Sequence, residues 1–237
     1  MRIVYSHSFA LTPEEAVRLQ QELAAKIVSA GGPDPAEVRF VAGADASYAK
    51  GGGTISAAVV VLKVPELSIV ERAWAELAVG FPYIPGLLTF REGPALLEAF
   101  GKIRAKPDVI LFDGQGIAHP RGLGITSHIG LLLETPSIGV AKRLLVGQAD
   151  EPGEKKGSIR PIRKNGEVIG MAVRTKDRVR PVYVSVGHRI DLERAVALVL
   201  KTARGYRLPE PTRAAHRYAN EIRVRGGERD VQRTLEE

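Results

Sequence analysis

The sequence has no cysteine, only two methionines and one tryptophan, and its aromatic residues make up 5% of 237 positions. Without cysteine, disulfides and thiolate zinc sites are excluded, so any metal must be held by oxygen or imidazole. No apolar run approaches the roughly 18 residues that suggest a membrane helix. Met1 to Leu11 lacks the basic-then-apolar layout of a signal peptide. A cytoplasmic protein without membrane association is therefore expected. Acidic residues are outnumbered: 27 Asp and Glu stand against 34 Lys and Arg, a formal charge of +7 with a pI near 9.7. That balance fits a phosphate-rich partner, and it fits equally a basic protein that binds no nucleic acid. No internal repeat or low-complexity tract is present. The length suits one domain with a sizeable core.

Periodicity organises the chain. Thr12-Pro13-Glu14-Glu15 reads as a capping box with proline at the first helical position. Ala16, Leu19, Leu23 and Ile27 follow at helical spacing, up to Gly31-Gly32-Pro33. Val38 to Tyr48 alternates, with Val38, Phe40, Ala42, Ala44, Ala46 and Tyr48 on one face and Val41, Gly43, Asp45 and Ser47 on the other. Thr54 to Val64 and Leu67 to Val79 read as two further strands, and their short connections suit antiparallel neighbours. Gly93-Pro94 is expected to start a helix carrying Leu96, Leu97, Phe100 and Ile103. Asp108 to Phe112 is a compact apolar strand of the kind buried on both faces in parallel pairing. Ile125 to Glu134 reads as a helix and Ser137 to Ala141 as another buried strand. Val168 to Thr175 and Val182 to Val186 are strand candidates. Asp191 caps a helix with Leu192, Ala195, Val196, Val199 and Leu200, and a last helix begins near Thr212. The fold class expected is α/β, a mixed sheet of three antiparallel strands followed by parallel strands, with helices on both faces. Residues 1–224 form the domain and 225–237 a charged tail that frays.

Three carboxylates stand out. Asp45 interrupts a small, apolar strand, VAGADASY, where a carboxylate is costly unless solvated, paired or bound to a cation. Asp113 ends the buried strand VILFD and precedes Gly114-Gln115-Gly116. Open α/β sheets place ligands beyond the carboxyl ends of their strands, although such an aspartate can also cap a turn. Glu92 follows the proline-bracketed segment FPYIPGLLTFRE, where it could merely complement a helix dipole. If the first and fourth strands are neighbours, Asp45 and Asp113 can converge and Glu92 can join from the flank. Three such oxygens suit a hard cation such as Mg²⁺.

The motifs carrying these residues resemble the endonuclease V family. The runs are VAGADASY, FPYIPGLLTFREGPALLEAF, KPDVILFDGQGIAHPRGLGITSHIGL, PSIGVAKRLLVG, VSVGHRIDLE and LPEPTRAAH, spanning roughly residues 10–222. The resemblance implies a ribonuclease H-like fold. It implies a Mg²⁺ site, with Mn²⁺ as an alternative ion, formed by Asp45, Glu92 and Asp113. His216 would complete that site from the last helix, and Lys142 would lie near the scissile phosphate. Pro82, Tyr83, Ile84 and Pro85 match the family's strand-separating wedge. Gly86, Leu88, Gly114, His119 and Ile125 match its pocket for an everted base. Thr126 stands where alanine is expected.

The implied activity is hydrolysis of the second phosphodiester bond 3′ to a deaminated purine, leaving 3′-hydroxyl and 5′-phosphate ends. The implied partner is DNA containing deoxyinosine, with inosine-containing RNA as an alternative, and a monomer is expected. The basic stretch 155–180, with Lys155, Lys156, Arg160, Arg163, Lys164, Lys176, Arg178 and Arg180, either contacts backbone phosphates or is a solvated hairpin. Two rival readings remain: another ribonuclease H-like nuclease such as a junction resolvase, and a non-catalytic nucleic-acid-binding module.

Overall fold

A computed structural model describes the backbone of residues 1–235 and the side chains of residues 1–225. The expected capping box forms: the Thr12 hydroxyl accepts from the Glu15 amide, and the Glu15 carboxylate accepts from the Thr12 amide. It opens helix α1, Pro13–Ala24. The helix stops before Ile27, which instead packs with Ala24 against the small Leu23–Leu123–Leu131 cluster.

Three strands then meander, β1 (Phe40–Tyr48), β2 (Thr54–Lys63) and β3 (Ser68–Ala78), each antiparallel to the last. Val38 falls before β1, and its side chain joins the cluster that contains Val41 rather than the Ala42 face expected for it. After β3 comes helix α2, Leu88–Gly101. It begins more than a turn before the expected Gly93-Pro94, so Pro94 lies inside it and Glu92 is a helical residue. Next are β4 (Val109–Phe112), α3 (Ile125–Leu133), β5 (Ser137–Ala141), β6 (Ile159–Lys164), β7 (Glu167–Val173) and β8 (Val182–His188). The chain closes with α4 (Leu192–Thr202), capped by Asp191 as expected, and α5, which starts at Glu210 rather than Thr212 and runs to Leu235. Strand β6 falls in the basic stretch and pairs antiparallel with β7, so that stretch contains the hairpin that is one of its two readings. The expected tail at 225–237 belongs largely to side chains outside the described residues.

All eight strands form one sheet in the order β3-β2-β1-β4-β5-β8-β7-β6. Strands β1, β4 and β5 are parallel, and β8 turns the remaining three antiparallel. Each face has its own core. Ala42, Ala44, Ile110 and Phe112 pack under α2 and α3, with Phe100 fully enclosed. Val41, Leu111, Val140 and Val184 pack under α4 and the start of α5. The alternation in β1 thus sends its alanines to one layer of helices and Val41 to the other.

Gly43 shows how tightly α5 lies on β1. A Cβ placed there would come within 1.9 Å of the Pro211 carbonyl oxygen, so only glycine fits beneath the first turn of the helix.

Candidate active site

The parallel register of β1 and β4 pairs Ala44 with Phe112. Asp45 and Asp113 therefore leave adjacent strands at the same end. Asp113 stands at the carboxyl edge of β4, where ligands gather in open α/β sheets. Glu92 comes to the same place on the second turn of α2. The three carboxylates sense one another. Burial pushes Glu92 up to about 7, and the nearby charges of Asp45 and Asp113 add to the rise, opposed by a hydrogen bond from Tyr48 and by Arg91. Burial also raises Asp45, with Asp113 adding to it and the His216 hydrogen bond opposing.

Each carboxylate has a separate partner. Lys142, just past β5, forms an ion pair with Asp113. His216, on α5, places Nδ1 2.7 Å from Asp45 Oδ2. The Asn220 amide donates to His216 Nε2 at 3.1 Å, and the Ser47 hydroxyl donates to the Asn220 side-chain oxygen at 3.1 Å. This chain turns Nδ1 of the ring to Asp45 and Nε2 to Asn220. The Tyr48 hydroxyl donates to Glu92 Oε1 at 2.8 Å, and the Arg91 guanidinium lies 4.9 Å over the Tyr48 ring.

Among the described residues, no three His, Asp or Glu side chains are gathered closely enough to hold an ion together. Each acid is instead bound to its own partner, Asp113 to Lys142, Asp45 to His216 and Glu92 to Tyr48. The chemistry of the donor set fits a divalent cation all the same. It is all oxygen, as hard cations require, and two of its members carry raised pKa values in a crowded, partly buried setting that a cation would relieve.

The segment 81–87 leads directly into α2. Tyr83 is 71% exposed at its tip. Ile84 instead packs partly against the cluster of Ala16, Phe81, Leu87 and Phe90 and anchors the loop. Gly86 has a φ of +82°, and its carbonyl accepts from Gln20 Nε2 at 3.0 Å and Arg121 Nη2 at 2.7 Å. His119 is buried beside it. Burial first, then the charge of Arg121, pushes its pKa down to about 4, so the ring is neutral at pH 7. Gly114 packs on Ile125, whose Cγ2 would be 2.7 Å from an added Cβ. Leu88 and Ile125 join the same apolar cluster, at the starts of α2 and α3.

Among the residues of the basic stretch, Lys156 Nζ donates to the Ala203 carbonyl and Lys164 Nζ to the Pro120 carbonyl. Arg178 pairs with Glu154. Arg160 remains exposed, and among the described residues its side chain bonds only to its neighbour's carbonyl.

Tyr48, Asn220, Arg121 and Gln20 were not singled out by the sequence. Tyr48 read as one more residue of a strand face, and Asn220 is one polar residue among several on the last helix. Arg121 lies in the HPR run quoted above, but nothing in its spacing reveals a bond to Gly86.

The sheet order, with an acidic centre where the carboxyl ends of β1 and β4 meet a lysine and a histidine, defines a ribonuclease H-like nuclease. Residues 21–217 match the family model of Endonuclease V. An Endonuclease V of Gloeobacter violaceus is 51% identical over 220 residues, covering 92% of this chain and 89% of that protein. The crystal structure of the Endonuclease V of Streptomyces avermitilis superposes with a TM-score of 0.87 at 40% identity, covering 91% of this chain and 95% of the other. That of Ciona intestinalis Endonuclease V, in complex with a 24mer DNA containing an inosine followed by a ribo-adenosine, gives 0.79 at 31% identity, covering 88% and 96%. The chain belongs to the endonuclease V family.

Proposed function

We propose that the protein is a cytoplasmic, monomeric DNA repair endonuclease. It recognises deoxyinosine and hydrolyses the second phosphodiester bond 3′ to it, leaving 3′-hydroxyl and 5′-phosphate ends. The observation that carries this reading is the register that sets Asp45 and Asp113 side by side on parallel strands, with Glu92 near enough to feel both charges and with Lys142 and His216 bound to the two aspartates. The family membership and the inosine-containing DNA bound by the Ciona relative support it. Inosine-containing RNA is a further substrate to test.

Asp45, Glu92 and Asp113 would hold a divalent cation, Mg²⁺ by preference and Mn²⁺ as a substitute. Bound there, the ion would polarise a phosphoryl oxygen and lower the pKa of a coordinated water. The protein's own groups supply the rest. Lys142 offsets charge that develops on the phosphate. His216, donating through Nδ1, fixes the orientation of Asp45, and Asn220 fixes His216 in turn. Tyr83, exposed on a loop stiffened by Pro82 and Pro85, stacks where the lesion leaves the helix, and Ile84 braces the loop.

The base pocket combines Gly86, Leu88, Gly114, His119 and Ile125. The Arg121 amide donates to His119 Nδ1 at 3.3 Å. In the neutral ring Nε2 then carries the proton, which the Gly86 carbonyl accepts in the free protein; an entering hypoxanthine would present its 6-oxygen to that donor in exchange, whereas the 6-amine of adenine would face it donor to donor. A damaged base also costs least to extrude.

The test is a nicking assay on end-labelled strands carrying one inosine or one adenine at the same position, with Mg²⁺, Mn²⁺ or EDTA. One cut at the second bond 3′ to inosine, absent in EDTA, is the expected result. Release of the base with an intact strand, or equal cutting of the adenine strand, overturns the proposal.

A further inference from the structure

On the α5 side of the acidic centre lies a cleft of about 440 Å³, walled by Lys142, Tyr206, Arg207, Arg213, His216 and Arg217. Two of these residues also face the acidic centre, Lys142 through Asp113 and His216 through Asp45. The cleft therefore opens onto it.

The cleft is built rather than incidental. The Arg213 guanidinium stacks 3.3 Å from the Tyr206 ring centroid. Tyr206 is nevertheless 54% exposed, so the opposite face of its ring is available. Glu210 pairs with both Arg213 and Arg217 and holds the two guanidinium groups in place. Arg207 is tied to the Lys142 carbonyl at 2.6 Å. Cations surround an aromatic surface, and this combination binds single-stranded nucleic acid: phosphates to the charges, bases to the ring.

The sheet fixes the direction. Gly86 and Ile125 stand at the starts of α2 and α3, which cover one face, while α5 covers the other. A strand crossing the acidic centre from the base pocket leaves on the α5 side. We infer that the Tyr206–Arg213 shelf binds the nucleotide immediately beyond the scissile phosphate, its base stacked on Tyr206 and its 3′ phosphate against Arg217. This rests on the proposed cut 3′ to inosine, which makes that nucleotide the second one 3′ of the lesion.

The test uses single strands with 2-aminopurine at that position, in EDTA so that they stay intact. Inosine and adenine versions are compared, and so are versions that end one nucleotide earlier. Binding to the parent protein should quench the probe. Removing the nucleotide should weaken binding about tenfold, the scale of one base stacked on an aromatic ring. In Tyr206→Ala the quenching should vanish, and removal of the nucleotide should then matter less than about twofold. Tyr206→Phe should behave like the parent, and thermal melts check that both variants fold. Undiminished quenching and an undiminished flank effect in Tyr206→Ala overturn the inference. Equal affinity for inosine and adenine strands would instead count against the proposed function, and the Tyr206 comparison can be read in either strand.

Discussion

Gly43→Ala should damage stability and catalysis together. The added methyl would sit 1.9 Å from the Pro211 carbonyl oxygen. That oxygen must retreat by roughly 1.5 Å to reach ordinary contact, and as backbone it cannot turn aside as a side chain would. Overpacking costs about 1–3 kcal/mol. With β1 in the middle of the sheet and α5 on top, the upper end is expected, a fall in Tm of roughly 6–12 °C for a chain of this size. His216 lies about one and a half turns further along α5, 2.7 Å from Asp45. A shift of that size breaks the bond, and misplacement of about 1 Å can cost on the order of 100-fold in rate. Gly101→Ala is the matched control. It ends α2, and an added Cβ meets nothing within 4 Å, so it should stabilise by up to about 1 kcal/mol and leave nicking intact. Circular dichroism melts and nicking rates on inosine DNA report both effects. A Gly43→Ala protein that melts and cuts like the parent would refute the idea that contact of β1 with α5 holds the site together.

Other perturbations follow from single contacts. Tyr48→Phe removes the hydroxyl that donates to Glu92; that bond lowers a pKa already near 7, so the acid limb of the nicking-rate profile should move to higher pH, and superposable profiles would count against it. His128 is fully buried and its pKa is pushed down to about 3 by burial and by adjacent His7. Stability is thus whole above the unfolded value near 6.5 and is lost as pH falls below it, by up to about 2 kcal/mol at pH 5; His128→Leu should flatten the decline in Tm between pH 7 and 5. Among the described residues the Thr126 hydroxyl is buried with no hydrogen-bond partner, so Thr126→Val, which keeps the shape, should raise stability by about 1 kcal/mol in denaturant melts. Arg160→Ala should reduce the slope of log affinity against log salt by roughly 0.7–0.9, and an unchanged slope would remove Arg160 from the phosphate path.

The strands and helices that sequence revealed are those with one strong periodic signal. The alternation in β1 separates Ala42 and Ala44 from Val41, Gly43 and Asp45, and the two cores keep that separation. The apolar run 109–112 reads as a buried parallel strand because its flanks pack under helices on both sides. Where the bounds were missed, the local chemistry was weak or misleading. Helix α2 starts at Leu88 behind Leu87, which makes no side-chain cap, and the proline that seemed to mark its start is an interior residue. Strand β6 contains Pro161 and three basic residues, and of its side chains only Ile162 is buried. It lies at the sheet's edge, where a missing N–H and solvated charges are tolerated. Asp45 and Asp113 drew notice because a charge in or just beyond an apolar strand is conspicuous, whereas Glu92, a helical residue, lacks that signal and takes its role from the other two and from the resemblance. Their partners Tyr48, Asn220 and Arg121 are ordinary residues in sequence, and their roles exist only once α2, α5 and the 114–124 loop are docked.

Those partners also join recognition to chemistry. The loop carrying Tyr83 runs into α2 without a break, and Glu92 lies on the next turn but one. Arg91 reaches back from that helix to the Phe81 carbonyl at 2.6 Å while its guanidinium covers the Tyr48 ring, and Tyr48 holds Glu92. At the other end of the loop, Gly86 is clamped by Gln20 from α1 and by Arg121 beside His119. On the proposed reading, a base that moves this loop as it enters the pocket would shift Glu92 through the same contacts. In the structure Glu92 is turned to Tyr48 and the three acids are not gathered into one set of ligands. A strand seated as proposed on Tyr83 and the pocket would act on the helix that carries Glu92. On the proposed reading, Mn²⁺ should bind more tightly in the presence of an inosine strand than an adenine strand, and by linkage the strand should bind more tightly with Mn²⁺ by the same factor.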